Sequence, residues 1–192
     1  MIYRFAHVLF SFWFRCLNRL IIKGTEHIPK DGALILYGNH FSNWDPILLN
    51  VAFSRPIRFM AKHSLFQIPI VGACCRAYGA FPINRGKADL SAIKTALRVL
   101  KNGEVLGIFP EGTRVSEENS SAKGGIAMFA FKSGALLQPV HVAYRRRLQI
   151  FNHIEVCFGP AISPETLSFG SHPKAEDYSR IGSELMQRLY RL

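Results

Sequence analysis

The chain predicts an α/β fold. It reads as a single domain with a central, largely buried sheet flanked by helices, preceded by an N-terminal amphipathic membrane-associated helix. Three observations carry this expectation. Short continuous apolar runs, such as ALILYGN at 33–39, end in turn formers and read as strands buried on both faces. Between them lie segments whose apolar residues recur at helical spacing. The two kinds alternate along the chain, the pattern of a sheet covered by helices on both sides. With 192 residues there is enough chain for one full core, and no linker, repeat or second domain interrupts it.

The first element is a helix. Arg4, His7, Ser11, Arg15 and Asn18 form one polar stripe at helical spacing, and Phe5, Val8, Leu9, Phe10, Phe12, Trp13, Phe14 and Leu17 fill the rest. The apolar stretch between Arg4 and Arg15 is shorter than the roughly 20 residues a spanning helix needs. No small-residue cleavage site follows it, as a signal peptide requires. Four basic groups and no acid occur in the first 24 residues. The expectation is an in-plane membrane anchor over residues 1–22 and a folded domain over 23–192. A helix packed on its own domain or on a partner is the competing expectation.

The segment IIKGTEHIPKDG reads as a short strand and a turn, and ALILYGN as a buried strand. A helix follows over 46–53, opened by Pro46. A strand (57–61), a helix from Ser64 to Arg76 spanning Pro69, and a strand (78–83) come next. Leu90, Ile93, Leu97 and Leu100 mark the apolar face of a helix that Asn102-Gly103 stops, with Lys94, Arg98 and Lys101 opposite. EVLGIFP (104–110) is a strand and TRVSEENSSAKGG a polar loop. IAMFAFKSG is a buried helix ended by Gly134; LLQPVHVAY and IEVCFG are strands. The last helix starts near Pro173 and buries Tyr178, Ile181, Leu185 and Leu189, with acids in its first turn and arginines in its last.

Charge and cysteines narrow the function. Lys and Arg number 24 against 13 acids, a formal charge of +11. The bias is local: from Pro46 to Gly103 there are nine basic residues and one acid, Asp89. Such a surface attracts anionic lipid, an acidic carrier protein or nucleic acid. Nucleic acid is disfavoured, because no recognised module is present and the aromatics lie in apolar runs rather than among the cations. The seven histidines do not cluster and Cys16, Cys74, Cys75 and Cys157 lack ligand spacing. No metal is expected, and the cysteines read as reduced packing residues.

One stretch carries chemistry. In LYGNHFSNWDPILL, His40 follows directly on a buried strand, and Asp45 stands just before Pro46, where a helix N-cap would stand. The intervening residues can curl the carboxylate back to the imidazole. A histidine oriented by a carboxylate is a general base. No G-x-S-x-G elbow supplies a serine nucleophile, and neither KSGA nor GACC offers a substitute. A base without an enzyme nucleophile points to attack by a hydroxyl of the substrate. Cations stand at three further strand ends: Lys62 after IRFMA, Arg85 in GAFPINR, and Arg114 in FPEGTR, which also brings Glu111 and Gly112. Arginine forks suit phosphate, and Gly112 lets backbone N–H groups approach an anion. Glu111 could hold a hydroxyl or fix Arg85. GAFPINRGKA is not a P-loop: Phe81 stands where the first glycine belongs.

These blocks resemble the glycerolipid acyltransferase family. NHFSNWD is similar to its first block, GAFPINR to its second, FPEGTR to its third and QPVHVAY to its fourth, in the family's order and spacing over about residues 20–160. MAKHSLFQIPIVG resembles the segment between the first two. The likeness is greatest to members that acylate 1-acyl-glycerol 3-phosphate. It implies O-acyl transfer to the free hydroxyl of that lysophospholipid from an acyl thioester, carried by acyl-carrier protein or coenzyme A, with no cofactor and no acyl-enzyme. His40 and Asp45 would be catalytic. Lys62, Arg85, Glu111, Gly112 and Arg114 would bind the acceptor's phosphate and glycerol. The expected setting is the cytoplasmic face of the cell membrane, on an anionic surface. Close alternatives are a relative acting on glycerol 3-phosphate or another lysophospholipid, or a non-catalytic lipid-binding relative.

Overall fold

A computed structural model describes residues 2–84, 89–111, 124–145 and 151–192, with side chains from Ala6 onward. Its strands are β1 (Arg19–Lys23), β2 (Leu34–Gly38), β3 (Ile57–Lys62), β4 (Phe81–Ile83), β5 (Val105–Ile108), β6 (Leu136–Tyr144) and β7 (His153–Phe158). The helices are α1 (Ile2–Cys16), α2 (Asp45–Ala52), α3 (Pro69–Ala77), α4 (Leu90–Lys101), α5 (Gly125–Ser133) and α6 (Ala175–Leu189). The strands form one sheet in the order β1-β7-β6-β2-β5-β3-β4. Neighbours are parallel except β6 and β7. The five parallel strands from β6 to β4 therefore finish at the same edge.

Each face of the sheet has its own core. From β2, Ile35 and Tyr37 join Leu106, Ile108 and Leu137 under α4, α5 and α6. Leu34 and Leu36, pointing the other way, join Val105, Val140 and Val142 against α2 and Phe14 of α1. All five β2 residues are buried, which is why its sequence shows a continuous apolar run instead of alternation. Each such leucine or isoleucine contributes about 1.5–3 kcal/mol by leaving water.

Several boundaries depart from the expectations above. The helix expected from Ser64 to Arg76 is two pieces: a 3-10 turn over His63–Gln67, then α3 starting at Pro69. Pro69 has no N–H to give the preceding turn, so it opens a helix and does not sit within one. The strand expected at 78–83 shrinks to Phe81–Ile83, because Tyr78 caps α3 and Gly79 (φ 65°) turns the chain. On α4, Leu90 is exposed, and Ala92, Ala96, Val99 and Leu100 make the buried face. Gly134 ends α5 in the left-handed region (φ 65°), as glycine allows. All four cysteines are free, but Cys16 is exposed and so is not a packing residue.

Helix α1 has two apolar faces. Phe14 is 1% exposed in the core, and Phe10 and Trp13 pack against the same cluster. Val8, Leu9 and Phe12 face outward, 68%, 51% and 60% exposed. Of the expected polar stripe, Arg15 is exposed and His7 and Ser11 are half-buried, but Asn18, past the helix end, is buried, donating to Trp13 O and accepting from Asn152 N–H. α1 thus packs on the domain, and no helix among the described residues is long and apolar enough to cross a membrane.

Candidate active site

The site is built where β2 runs out. Gly38 pairs with Val140, and beyond it the fully buried Asn39 takes over the role of strand backbone. Its amide donates to Val142 O and accepts from Val142 N–H, both at 2.8 Å. The β2–β6 junction is thereby locked one residue before His40. A short turn follows, closed by Asp45 N–H on Ser42 O, and α2 begins with Pro46 in its first turn.

Asp45 does not cap α2. The cap position is Trp44 and no side-chain cap bond forms there. Instead the Asp45 carboxylate reaches backward. Its Oδ2 lies 3.0 Å from His40 Nδ1 and accepts the N–H groups of Phe41 and Ser42 at 2.8 and 2.7 Å. Its Oδ1 accepts the Tyr144 hydroxyl at 2.5 Å. This carboxylate is fully buried, and its four donors satisfy it. The imidazole is 12% exposed. With Nδ1–H donating to the carboxylate, Nε2 remains the acceptor for a proton from outside.

Two other groups hold His40. Its backbone N–H donates to Glu111 Oε2 at 3.2 Å, and Glu111 Oε1 accepts the Tyr190 hydroxyl at 2.5 Å. Glu111 lies just past β5 and is 4% exposed. Both of its oxygens are thus engaged by the protein itself. The ring of His40 stacks on Phe109 (centroids 4.2 Å, 17°), and Phe109 stacks on Phe59 of β3 (5.3 Å, 8°). Gly107 makes room for this ladder, since a methyl group there would overlap the Phe59 ring. On the far side, Trp44 stacks on Trp13 of α1 (6.4 Å, 13°) and meets Phe10 edge-on (5.9 Å).

Of the residues singled out in the sequence, the structure brings His40, Asp45 and Glu111 together. Lys62 ends β3 at the same sheet edge and is exposed. Arg85, Gly112 and Arg114 lie outside the described residues. Sequence reasoning missed Tyr144, Tyr190, Phe109 and Asn39 as parts of the site. Asn39 and Phe109 open the quoted blocks NHFSNWD and FPEGTR, so membership of those blocks was an available signal. Tyr144 closes the quoted QPVHVAY block but lies 99 positions from Asp45, so its partner was not visible, while Tyr190, at the end of α6 and 79 positions from Glu111, is marked by no motif.

A family model described as Acyltransferase matches residues 19–143. The 1-acyl-sn-glycerol-3-phosphate acyltransferase of Borreliella burgdorferi is 29% identical over 96% of this chain and 76% of that protein. The Bacillus subtilis protein of the same name is 37% identical over 56% of this chain, which spans about half of it (54%). Among solved structures, the 1-acyl-sn-glycerophosphate (LPA) acyltransferase PlsC from Thermotoga maritima superposes with a TM-score of 0.67 at 24% identity, covering 98% of this chain and 78% of that one. That likeness carries the fold.

Proposed function

This chain belongs to the acyltransferase family, and we propose that it transfers a fatty acyl group from an acyl thioester to the free hydroxyl of 1-acyl-glycerol 3-phosphate, giving phosphatidic acid. The observation that carries the reading is the buried Asp45 carboxylate on Nδ1 of His40, whose other nitrogen has no hydrogen-bond partner among the described residues. Relatives named for this reaction support the choice of acceptor.

Nε2 of His40 takes the proton of the acceptor hydroxyl as its oxygen attacks the thioester carbonyl. The C–O ester bond forms, the C–S bond breaks, and the departing thiolate takes the proton back from the imidazolium. Asp45 steadies the ring through both transfers. General base catalysis of this kind contributes about 10²–10⁴-fold; the rest must come from holding both substrates in line. Lys62, Arg85, Gly112 and Arg114 are assigned to the acceptor's phosphate and glycerol. Glu111, whose oxygens already hold His40 N–H and Tyr190, is assigned to positioning the base.

The donor is an acyl thioester of acyl-carrier protein or coenzyme A; both are anionic, so the basic surplus suits either. The protein works at the cytoplasmic face of the membrane, against anionic lipid, with the outward Val8, Leu9 and Phe12 of α1 in the interface. Exposed cations near such a leaflet add about 1 kcal/mol each. The test is a labelled acyl-transfer assay on vesicles, offering 1-acyl-glycerol 3-phosphate, glycerol 3-phosphate and head-group-bearing lysolipids to one donor. Transfer to the first with loss of turnover in His40→Ala is expected. Transfer to another acceptor instead, or His40→Ala within tenfold of the parent, overturns the reading.

A further inference from the structure

The Asp45 carboxylate is held asymmetrically. Three N–H donors converge on Oδ2: the imidazole Nδ1–H and the backbone of Phe41 and Ser42. Those two backbone donors come from the same turn as His40, so they move with it. Oδ1 is held from elsewhere, by the hydroxyl of Tyr144 at the end of β6. The Cβ–Cγ torsion of an aspartate is broad and nearly two-fold, so without Tyr144 the carboxylate would be fixed only by the turn it is meant to steady.

Tyr144 is suited to be a permanent donor. Burial, followed by the Asp45 charge and the hydrogen bond to it, pushes the phenol's pKa well above its ordinary value. Within the turn itself, the Ser42 hydroxyl accepts Trp44 N–H. Tyr144 thus meets the turn through the carboxylate that the turn encloses. Its strand is fixed beside β2 by the paired bonds between Asn39 and Val142, two positions earlier. The other described polar groups facing His40 are Glu111, on its backbone N–H, and behind that carboxylate Tyr190, against which the His141 ring lies edge-on. Of these, Glu111 holds the His40 backbone; among the described residues only Asp45 meets a ring nitrogen.

We infer that Tyr144 is a positioning residue for the His40–Asp45 pair: its hydroxyl pins Oδ1 so that Oδ2 stays on Nδ1, and by drawing on the carboxylate's charge it sets how basic the imidazole is. The inference rests on the reading of His40 as the base. Removing the hydroxyl leaves more negative charge facing Nδ1, which favours the imidazolium. The imidazole then stays protonated to higher pH, and activity is lost earlier as pH falls.

The experiment is a pH profile of kcat and kcat/KM for the full chain on anionic vesicles with 1-acyl-glycerol 3-phosphate and an acyl thioester. The parent is compared with Tyr144→Phe and with 3-fluorotyrosine at position 144, a stronger donor. In Tyr144→Phe, kcat should fall about tenfold with KM nearly unchanged, a positioning loss realised in the transition state. The acid limb should move up by about half a unit to one unit, and with 3-fluorotyrosine it should move down. Should Tyr144→Phe fold poorly, the fluorinated protein, which keeps size and hydroxyl, carries the test alone. Unmoved acid limbs in every variant that folds overturn the inference, whatever happens to kcat, because a purely structural tyrosine would leave the limb in place. An active His40→Ala would instead overturn the base assignment itself, so the two failures are distinguishable.

Discussion

Tyr190 donates its phenol hydrogen to Glu111 at 2.5 Å, and the same carboxylate receives the backbone N–H of His40 at 3.2 Å. The end of α6 is in this way tied to the backbone of the proposed base. Tyr190→Phe leaves Glu111 Oε1 buried without that donor. The expected cost is about 1–3 kcal/mol, read by denaturant unfolding. A fall in kcat with little change in either KM should accompany it. Unchanged stability and unchanged kcat together would show the bond to be incidental.

The ring ladder makes a second prediction. Gly107→Ala drives a methyl group into Phe59, and Phe59 supports Phe109 under the His40 ring. Overpacking of this kind costs about 1–3 kcal/mol. If the ladder steadies the imidazole, kcat falls as well, and Phe109→Leu, which keeps bulk but removes the stacked face, lowers kcat with a smaller loss of stability. A destabilised but fully active Gly107→Ala would confine the ladder to packing.

The cations proposed for the acceptor phosphate have a kinetic signature. Arg114→Ala and Arg85→Ala should each raise the acceptor KM far more than the donor KM. Loss of a charge-assisted hydrogen bond of about 1.5–3 kcal/mol corresponds to a fall of roughly 10–150-fold in kcat/KM for the acceptor. Lys62→Ala should do the same more weakly, since an ammonium lacks the planar fork. Equal effects on both substrates would remove the phosphate role.

The sheet and the pairing of His40 with Asp45 were legible because both depend on near neighbours. A continuous apolar run such as 34–37 leaves no solvent face, and five positions of a turn decide whether a carboxylate can return to an imidazole. What the carboxylate does there was read only in part. Pro46 marked the helix start, and the usual consequence, an N-cap, is overridden because the backward donors and Tyr144 compete for the same oxygens. The hydroxyls on the two carboxylates were not legible, since Tyr144 and Tyr190 are placed by strand order and helix docking. Leu90 misled for a different reason: it fits the helical spacing, but alanines 92 and 96 let α4 sit close to the sheet on a neighbouring face.

Asp89 offers a test by pH. Hydrogen bonds from Asn84 N–H, the Ser91 hydroxyl and Ala92 N–H hold its carboxyl down to about 2. It thereby caps α4 and ties the end of β4 to the helix start. A depressed folded-state pKa contributes stability that is present above the unfolded value near 4 and is lost as pH falls toward 2. Asp89→Ala should lower Tm by a few degrees at neutral pH, as loss of an N-cap does. The gap between parent and variant should narrow steadily between about pH 4 and pH 2. A gap independent of pH would mean that the carboxylate's charge plays no part.

Helix α1 allows its two faces to be tested separately. Removing the helix outright would strip Phe14 from the core, so loss of function in a truncated chain would say nothing about lipid. Val8, Leu9 and Phe12 are exposed, and exchanging all three for serine should change stability little, since surface substitutions usually stay within about 0.5 kcal/mol each. Flotation with anionic vesicles should fall by at least about tenfold, because each apolar side chain entering the interface is worth on the order of 1 kcal/mol or more. The inward face should behave differently. Trp13 stacks on Trp44, which sits between His40 and Asp45 in the chain. Trp13→Ala should therefore lower kcat even in detergent, where vesicle binding no longer matters, while flotation is largely retained. If the serine variant floats like the parent, the membrane is not the partner of that face. If Trp13→Ala keeps full kcat, the helix supports the domain without steadying the catalytic turn.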